Sequence, residues 1–240
     1  MEQLANKLTG WIKEQVLGAK RNGTILGLSG GIDSAVVAVL CKRAFPDATL
    51  AVIMPCYSNK TDVAHAYELA EKFDIRTELI ELKPAYDSLM KALPRSDKYH
   101  GNEKLSQSNI KPRLRMITLY YLATQLNYLV VGTGNRSEIA IGYYTKHGDG
   151  GVDILPLGNL VKRQVKELAG YLTIPDAIIS KPPSAGLWDG QTDEGEMGLT
   201  YDELDRCLTT GEASDHVKKR IEFMKSISTH KRAMPPIPPF

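Results

Sequence analysis

The segment 29–34, with the sequence SGGIDS, lies between an apolar run at 24–28 and a helical pattern at 35–45. Because its two glycines have no Cβ, the backbone can adopt positive φ there and bring N–H groups close to an anionic oxygen. The helix that follows begins with N–H groups that lack internal partners, and its dipole favours negative charge by roughly 0.3–1 kcal/mol. The two serines add hydroxyl donors. The segment is typical of a pyrophosphate-binding loop, although a glycine-rich turn with a capping serine is the simpler alternative.

Asp33 stands among these donors, where its carboxylate would repel phosphate unless a divalent cation lay between them. A second acidic residue, Glu138, ends the polar segment 133–138, which follows the apolar run 128–131. Strand-end loops of a parallel sheet meet at one edge, and Mg²⁺ takes only one or two protein carboxylates. We therefore predict a Mg²⁺ site formed by Asp33 and Glu138. The alternative for Glu138 is an ordinary acidic residue in the first turn of a helix.

Short apolar runs alternate with helical patterns along the chain, which predicts a parallel sheet. After an amphipathic first helix, the predicted strands are 24–28, 49–54, 76–81 and 128–132, and the predicted helices are 34–45, 61–73, 84–93, 108–126, 160–172, 200–209 and 213–227. We expect one α/β domain over residues 1–240, a doubly wound, Rossmann-like parallel sheet with helices on both faces. Ligands bind such sheets at the carboxyl ends of the strands.

Two segments lack this regularity. Residues 180–198 are rich in glycine and proline and contain no predicted element, and loops longer than about 12–15 residues are usually functional or disordered. We interpret this segment as a mobile lid. Residues 228–240 end in a proline-rich run and predict an extended tail.

Charge and composition disfavour several other classes of protein. The net charge of +2 comes from 30 basic and 28 acidic residues spread along the chain, which gives no dedicated nucleic-acid surface. Cys41, Cys56 and Cys207 have neither CxxC nor Cys/His spacing, so no disulfide framework or zinc site is indicated. No apolar run approaches the roughly 18 residues of a membrane-spanning helix. We expect a cytoplasmic protein with no nucleic-acid or membrane partner.

Several segments resemble those of the ammonia-dependent NAD synthetases, in that family's order. They are LSGGIDSA at 28–35, KPRLRM at 111–116, VVGTGNRSEIAIGYYTKHGDGGVDILPL at 130–157, VKRQV at 161–165, the lid and HKR at 230–232. The first contains SGGxDS, the signature of the ATP pyrophosphatase superfamily. The resemblance implies a C–N ligase that converts nicotinic acid adenine dinucleotide (deamido-NAD), ATP and ammonia into NAD, AMP and pyrophosphate, through an adenylated carboxylate.

The same resemblance assigns residues to ATP and to catalysis. ATP is expected to contact Gly27, Leu28, Ser29, Gly30, Gly31, Ile32, Asp33, Ser34, Thr133, Lys162 and Ser184. Most relatives carry Thr at the position of Ser184, which keeps the hydroxyl. Lys162 is expected to neutralise phosphate charge and Asp149 to orient ammonia, and a carboxylate such as Asp149 or Asp153 could accept the proton of ammonium. An Asp-Gly turn is the equally simple explanation of Asp149.

Deamido-NAD is expected to contact Arg113, Lys146, Asp153, His230 and Lys231. Cationic side chains suit its pyrophosphate or carboxylate, and an aspartate can accept from ribose hydroxyls. Each of these residues would alone be an ordinary surface side chain, and Arg115 competes with Arg113 for the first assignment.

Relatives are homodimers with the acid substrate near the subunit boundary, so the resemblance implies a dimer that uses helices around 108–126. Two other functions remain open. Another ATP pyrophosphatase, such as a tRNA-modifying or thiolating enzyme, would normally carry sulfur-relay cysteines or a basic RNA surface. A non-catalytic adenine nucleotide-binding protein would keep the loop and lose Asp33, Glu138 or Lys162, which are all present.

Overall fold

The computed structural model of the chain describes residues 1–94, 101–188 and 190–240, so Asp189 of the predicted lid lies outside the described residues. The elements, in chain order, are α1 (Glu2–Gly18), β1 (Gly23–Gly27), α2 (Ile32–Ala44), β2 (Thr49–Ile53), α3 (Lys60–Lys72), β3 (Arg76–Leu79), α4 (Lys83–Ala92), α5 (Glu103–Ser108), α6 (Ile110–Leu126), β4 (Tyr128–Val130), α7 (Arg136–Ile141), α8 (Lys162–Tyr171), α9 (Asp176–Ile179), α10 (Asp193–Met197), α11 (Tyr201–Thr210) and α12 (Asp215–Ile227). A 3₁₀ turn, Thr229–Lys231, follows α12.

The described strands form one parallel sheet in the order β3-β2-β1-β4. Ile25 in the central strand β1 pairs with Leu50 of β2 and with Val130 of β4. β1 and β2 are buried along almost their whole length because helices cover both faces of the sheet, whereas the edge strand β3 is mostly exposed. The order brings the loops after β1 and β4 to the same edge of the sheet.

Alternate residues of β1 belong to two separate cores. Leu26 packs with Leu40 of α2 and Leu168 of α8 on one face. Ile25 packs with Leu119 of α6 on the other face. Side chains of a strand point alternately to its two faces, so one strand contributes to both cores. The predicted α/β fold with helices on both faces of a parallel sheet is confirmed.

A third apolar cluster joins α7 to the helices near the C-terminus. Ile141 of α7 packs with Met197 of α10, Leu204 of α11 and Ile221 of α12, and all four side chains are buried. Because α7 directly follows the loop after β4, this cluster fixes α10 and α11 beside the carboxyl ends of the strands.

Two predictions of irregular backbone were wrong in part. The segment 180–198 contains the short helix α10, whose N-cap Thr192 accepts a hydrogen bond from the Gly195 N–H and whose C-cap Gly198 has φ +68°. Glycine-rich sequence here supplies helix ends rather than preventing a helix. The predicted extended tail begins with the 3₁₀ turn Thr229–Lys231.

The predicted helix 108–126 is preceded by the separate helix α5, with Asn109 between them.

Candidate active site

The loop between β1 and α2 has a backbone shape that only glycine suits. Gly30 has φ +78°, and a Cβ at this position would overlap the carbonyl oxygen of Asp62. The Ser34 hydroxyl donates to the Gly31 carbonyl at 2.9 Å, and the Ser29 N–H donates to the Ser34 oxygen at 3.2 Å. These bonds fix the loop at the N-terminus of α2, whose first-turn N–H groups and dipole favour an anion.

Lys162, the first residue of α8, is the most buried cation of this region, with 3 % of its side chain exposed. Its Nζ lies 2.6 Å from Asp33 Oδ2 and 3.5 Å from Glu138 Oε1. The ring of Tyr201 lies 4.9 Å from the same Nζ. Burial disfavours the ammonium, but the two carboxylates outweigh burial and keep the pKa of Lys162 above its ordinary value. The structure thus brings Asp33, Glu138 and Lys162 together.

Asn135 connects the two strand-end loops. Its amide Nδ2 donates to Asp33 Oδ1 at 2.8 Å. Its side-chain oxygen accepts from the Glu138 N–H, and Glu138 Oε2 accepts from the Asn135 N–H, which forms a capping box at the start of α7. Asn135 therefore fixes both carboxylates. The NxxE spacing could have identified this cap from the sequence alone.

Glu138 has an unusual protonation equilibrium for a carboxyl group. Burial, together with the nearby charge of Asp33, raises the pKa of Glu138 to about 8, against the opposing effect of Lys162.

Among the described residues, no group of three or more His, Cys, Asp or Glu side chains could hold a metal ion. Asp33 and Glu138 provide two carboxylates, the number that Mg²⁺ usually takes when water and phosphate complete its coordination.

The lid contributes Asp193, a buried carboxylate that sequence reasoning missed. Its oxygens accept from the Tyr201 hydroxyl at 3.0 Å and from the Tyr143 hydroxyl at 3.1 Å. Burial raises the pKa of Asp193. Its backbone N–H donates to the Pro183 carbonyl at 3.1 Å, next to Ser184. Nothing in the local sequence distinguishes Asp193 from the other acidic residues of α10, because its contacts depend on how α7 and α11 pack.

Ser184 and Thr133 lie in loops at this edge of the sheet, and neither belongs to the group around Lys162. Ser184 is exposed, and its hydroxyl oxygen accepts from the Gly186 N–H at 3.1 Å. Thr133 is half-buried in the loop after β4. The lid contacts α6 through the Lys111 ammonium, which donates to the Leu187 carbonyl at 2.6 Å.

Four of the five residues predicted to contact deamido-NAD form a continuous group. The Arg113 guanidinium donates to the Lys146 carbonyl at 3.4 Å, and the Lys146 ammonium donates to the His230 carbonyl at 2.7 Å. The Lys231 ammonium donates to carbonyls of the loop after α7, and burial lowers the pKa of Lys231. Arg115 instead donates to the Met54 carbonyl at 3.2 Å, so it points towards the loop after β2.

Asp153 lies apart from that group. One of its oxygens accepts from the Tyr120 hydroxyl at 2.9 Å and the other from the Val130 N–H at 2.9 Å. It lines an open cavity of about 580 Å³ that also touches Gln15 of α1 and Leu129 of β4. Asp149 is in an exposed turn, where its Oδ1 accepts from the Thr145 N–H at 2.9 Å. An aspartate that only stabilises a turn makes the same kind of hydrogen bond.

This fold and site define a doubly wound α/β protein with a glycine loop at a helix N-terminus, beside a buried lysine and two carboxylates. The NAD synthase family model matches residues 4–235. The chain belongs to the NAD synthase family, which confirms the resemblance found in its sequence.

Individual relatives agree with this membership. The NH(3)-dependent NAD(+) synthetase of Carboxydothermus hydrogenoformans is 51% identical over 237 residues, which cover 99% of this chain and 97% of that protein. A solved NMN synthetase from Francisella tularensis superposes with a TM-score of 0.94 at 41% identity, covering 100% of this chain and 98% of that one. The NH3-dependent NAD synthetase of Campylobacter jejuni gives a TM-score of 0.80 at 30% identity, covering 98% and 97%.

Replacing Gly30 by Ala tests the loop. Positive φ at a residue with Cβ costs about 1–3 kcal/mol, and the overlap with the Asp62 carbonyl must move the backbone, so we expect weaker ATP binding and a lower free energy of unfolding. Isothermal titration with ATP and urea unfolding measure both. Gly31→Ala is the matched control, because a Cβ there meets its nearest neighbour, the Ser29 hydroxyl, at 3.4 Å. Equal effects of the two substitutions would contradict this account of the loop.

Proposed function

We propose that this protein catalyses the ATP-dependent amidation of deamido-NAD by ammonia, giving NAD, AMP and pyrophosphate. The observation that carries the proposal is the buried Lys162, which lies 2.6 Å from Asp33 at the start of the helix that follows the phosphate loop. Membership of the NAD synthase family supports it, and disfavours the tRNA-modifying and non-catalytic alternatives.

The chemistry requires charge neutralisation rather than a covalent nucleophile on the protein. A carboxylate is a poor electrophile, so an oxygen of the nicotinate carboxylate first attacks the α-phosphorus of ATP and releases pyrophosphate. Ammonia then attacks the mixed anhydride and AMP leaves. Both the attack and the departure of pyrophosphate concentrate negative charge on phosphate oxygens, which preorganised donors stabilise. The N–H groups in the first turn of α2 and the Lys162 ammonium are suited to this task, with Thr133 and Ser184 as further contacts.

Asp33 and Glu138 would hold Mg²⁺, which when bound supplies positive charge over the triphosphate. Two carboxylates fit the ligand preference of this ion. Because the pKa of Glu138 is raised to about 8, its carboxyl group must lose a proton at neutral pH before it can coordinate a cation. Asn135 keeps both acidic side chains oriented towards the same point.

The group formed by Arg113, Lys146, His230 and Lys231 would bind the acid substrate. Three of these side chains carry positive charge, which suits its pyrophosphate and carboxylate groups. Asp153 would accept a hydrogen bond from a hydroxyl, in exchange for one of its internal partners. Asp149 would receive a proton from ammonium before attack, which makes it the proposed general base.

A second candidate substrate is nicotinic acid mononucleotide. The observation that favours it is the TM-score of 0.94 with a solved protein called an NMN synthetase. Amidation of the mononucleotide uses the same carboxylate and the same adenylation chemistry, so the residues around Lys162 would serve either acid. The two candidates differ only in the nucleotide half of the acid substrate.

We also propose a homodimer in the cytoplasm. Large apolar side chains of α1 and α6 are exposed in the single chain, among them Leu17 at 55%, Ile117 at 59% and Tyr121 at 65%. An exposed apolar surface of this kind is typical of a subunit interface. The free thiols of Cys41 and Cys56, both buried, agree with a reducing compartment.

An assay with ATP, Mg²⁺, ammonium and deamido-NAD tests the function. We expect NAD and AMP in equal amounts, because the α-phosphoryl group is transferred, and chromatography quantifies both. A parallel reaction with nicotinic acid mononucleotide compares kcat/KM for the two acids. ADP in place of AMP, or no turnover with either acid, would refute the proposal.

Lys162→Met should lower turnover by about 10²–10³-fold, the size typical of losing one preorganised donor. Methionine keeps much of the buried volume and removes the charge. The matched control is Lys166→Met on the same helix, since Lys166 is exposed. Steady-state kinetics gives kcat and KM separately, and a change confined to KM would mean that Lys162 contributes only to ground-state binding.

Light scattering tests the dimer. We expect a mass of twice the chain's 26.5 kDa at micromolar concentration, and a lower mass for Tyr121→Asp because a buried charge opposes association. A monomeric mass for the unmodified protein would overturn the dimer without affecting the proposed reaction.

A further inference from the structure

The N-terminus of α8 is capped by side chains from other helices. Its own N-cap, Val161, has no polar side-chain atom to accept from the first N–H groups. Instead the N–H of Lys162 donates to the Ser137 hydroxyl oxygen at 3.1 Å, and the N–H of Arg163 donates to Asp205 Oδ2 at 2.8 Å. The Ser137 hydroxyl in turn donates to Asp205 Oδ1 at 2.5 Å. We call this pair, Ser137 and Asp205, the external cap.

The external cap is excluded from solvent, with Ser137 at 0% and Asp205 at 5% exposure. Its negative charge lies at the positive end of the α8 dipole, where a carboxylate is stabilised. Both oxygens of Asp205 accept charge-assisted hydrogen bonds, which are the stronger kind. A buried carboxylate with both oxygens occupied fixes the backbone that surrounds it more firmly than a solvent-exposed cap would.

The cap joins the elements that carry the acidic and basic groups of the site. Ser137 precedes Glu138 on α7, and its partner N–H belongs to Lys162 itself. The Arg136 N–H donates to the Leu160 carbonyl at 2.8 Å and closes the same junction between α7 and the start of α8. Asp205 reaches this junction from α11.

We propose that Asp205 is a positioning residue for the reaction, acting through Ser137 and the first turn of α8 on Lys162. The inference rests on the proposed function. A lysine side chain has four flexible methylene groups, so its ammonium is placed accurately only if its backbone is fixed. A displacement of about 1 Å at a reacting group can cost about 10²-fold in rate, which makes this backbone anchor relevant to turnover.

Removing the anchor need not unfold α8. Val165 and Leu168, both fully buried, attach the helix to α2 and the sheet independently of its first turn. Asp205→Asn keeps the shape of the side chain but exchanges one acceptor oxygen for an NH₂ group. It has one acceptor oxygen and no charge, so the charge-assisted hydrogen bonds from the Arg163 N–H and the Ser137 hydroxyl cannot both remain, and the cap of the first turn is weakened.

The first experiment compares Asp205→Asn with Asp202→Asn in the amidation assay. Asp202 is an exposed residue of the same helix, so its substitution is the matched control. We expect Asp205→Asn to lower kcat between about 10- and 100-fold and to leave KM for deamido-NAD unchanged. Asp202→Asn should stay within about twofold of the unmodified protein. An unchanged kcat for Asp205→Asn would overturn the proposal.

A double-mutant cycle then separates positioning from a general loss of structure. If Asp205 acts through Lys162, Asp205→Asn should cause no further loss of kcat in a Lys162→Met background. Losses that multiply would show that Asp205 acts independently of Lys162 and would overturn the proposal. Should Asp205→Asn fail to fold, Ser137→Ala completes the same cycle, because it removes one hydroxyl and leaves the carboxylate in place.

A readout that does not need turnover keeps this inference distinct from the proposed function. Hydrogen exchange of peptides covering residues 160–168 should be faster in Asp205→Asn than in Asp202→Asn, and the Lys162 amine should be acetylated faster. Unchanged exchange and acetylation would refute the anchor even in an active enzyme. An unmodified protein that makes no NAD would refute the function, while faster exchange in the variant would still support the anchor.

Discussion

The buried ion pair between Lys162 and Asp33 is the interaction on which the candidate site depends. These residues are 129 positions apart, and their charged atoms lie 2.6 Å from each other. Removing an ammonium from water is costly unless a partner charge and further hydrogen bonds replace the solvent. Asp33, Glu138 and the ring of Tyr201 supply that replacement. The site therefore requires α2, α7, α8 and α11 to converge, and a fold that misplaced α2 or α8 would leave a buried charge unpaired.

Sheet order is what makes this convergence possible. Because β1 lies between β2 and β4, the loop 28–31 between β1 and α2 is next to the loop that carries Asn135. The Asn135 amide crosses between these loops to Asp33. The third apolar cluster, which contains Met197 and Leu204, then covers the site from the side of α7. Apolar packing thus fixes a group of charges in a place from which most of the solvent is excluded.

The sequence was sufficient for the parts of the molecule that depend on local pattern. The central strands, the glycine turn before α2 and the placement of Glu138 after a strand all followed from residue type and spacing, because the residues that form a strand-end loop directly follow the apolar run of the strand. Asp193, Tyr201 and Asp205 could not be found in this way. Each occupies an unremarkable position on a short helix, and its role arises only from what the packing of α7, α10 and α11 brings to it. Helix α10 was not predicted because the glycines of this segment indicate an interruption of regular structure, whereas Gly198 is the C-cap that ends the helix.

The raised pKa of Glu138 helps to explain how this group of buried charged residues is stable without a bound ligand. Because the pKa of Glu138 is raised to about 8, this carboxyl group adds less negative charge beside Asp33 at neutral pH than an ordinary glutamate would. A neutral group is far cheaper to bury than one with a net charge. A divalent cation that replaced the proton would raise the local charge by one unit, since the new carboxylate charge offsets half of the charge of the ion. If the proposed cation binds there, the same residues would gain the positive charge that favours an anionic phosphate.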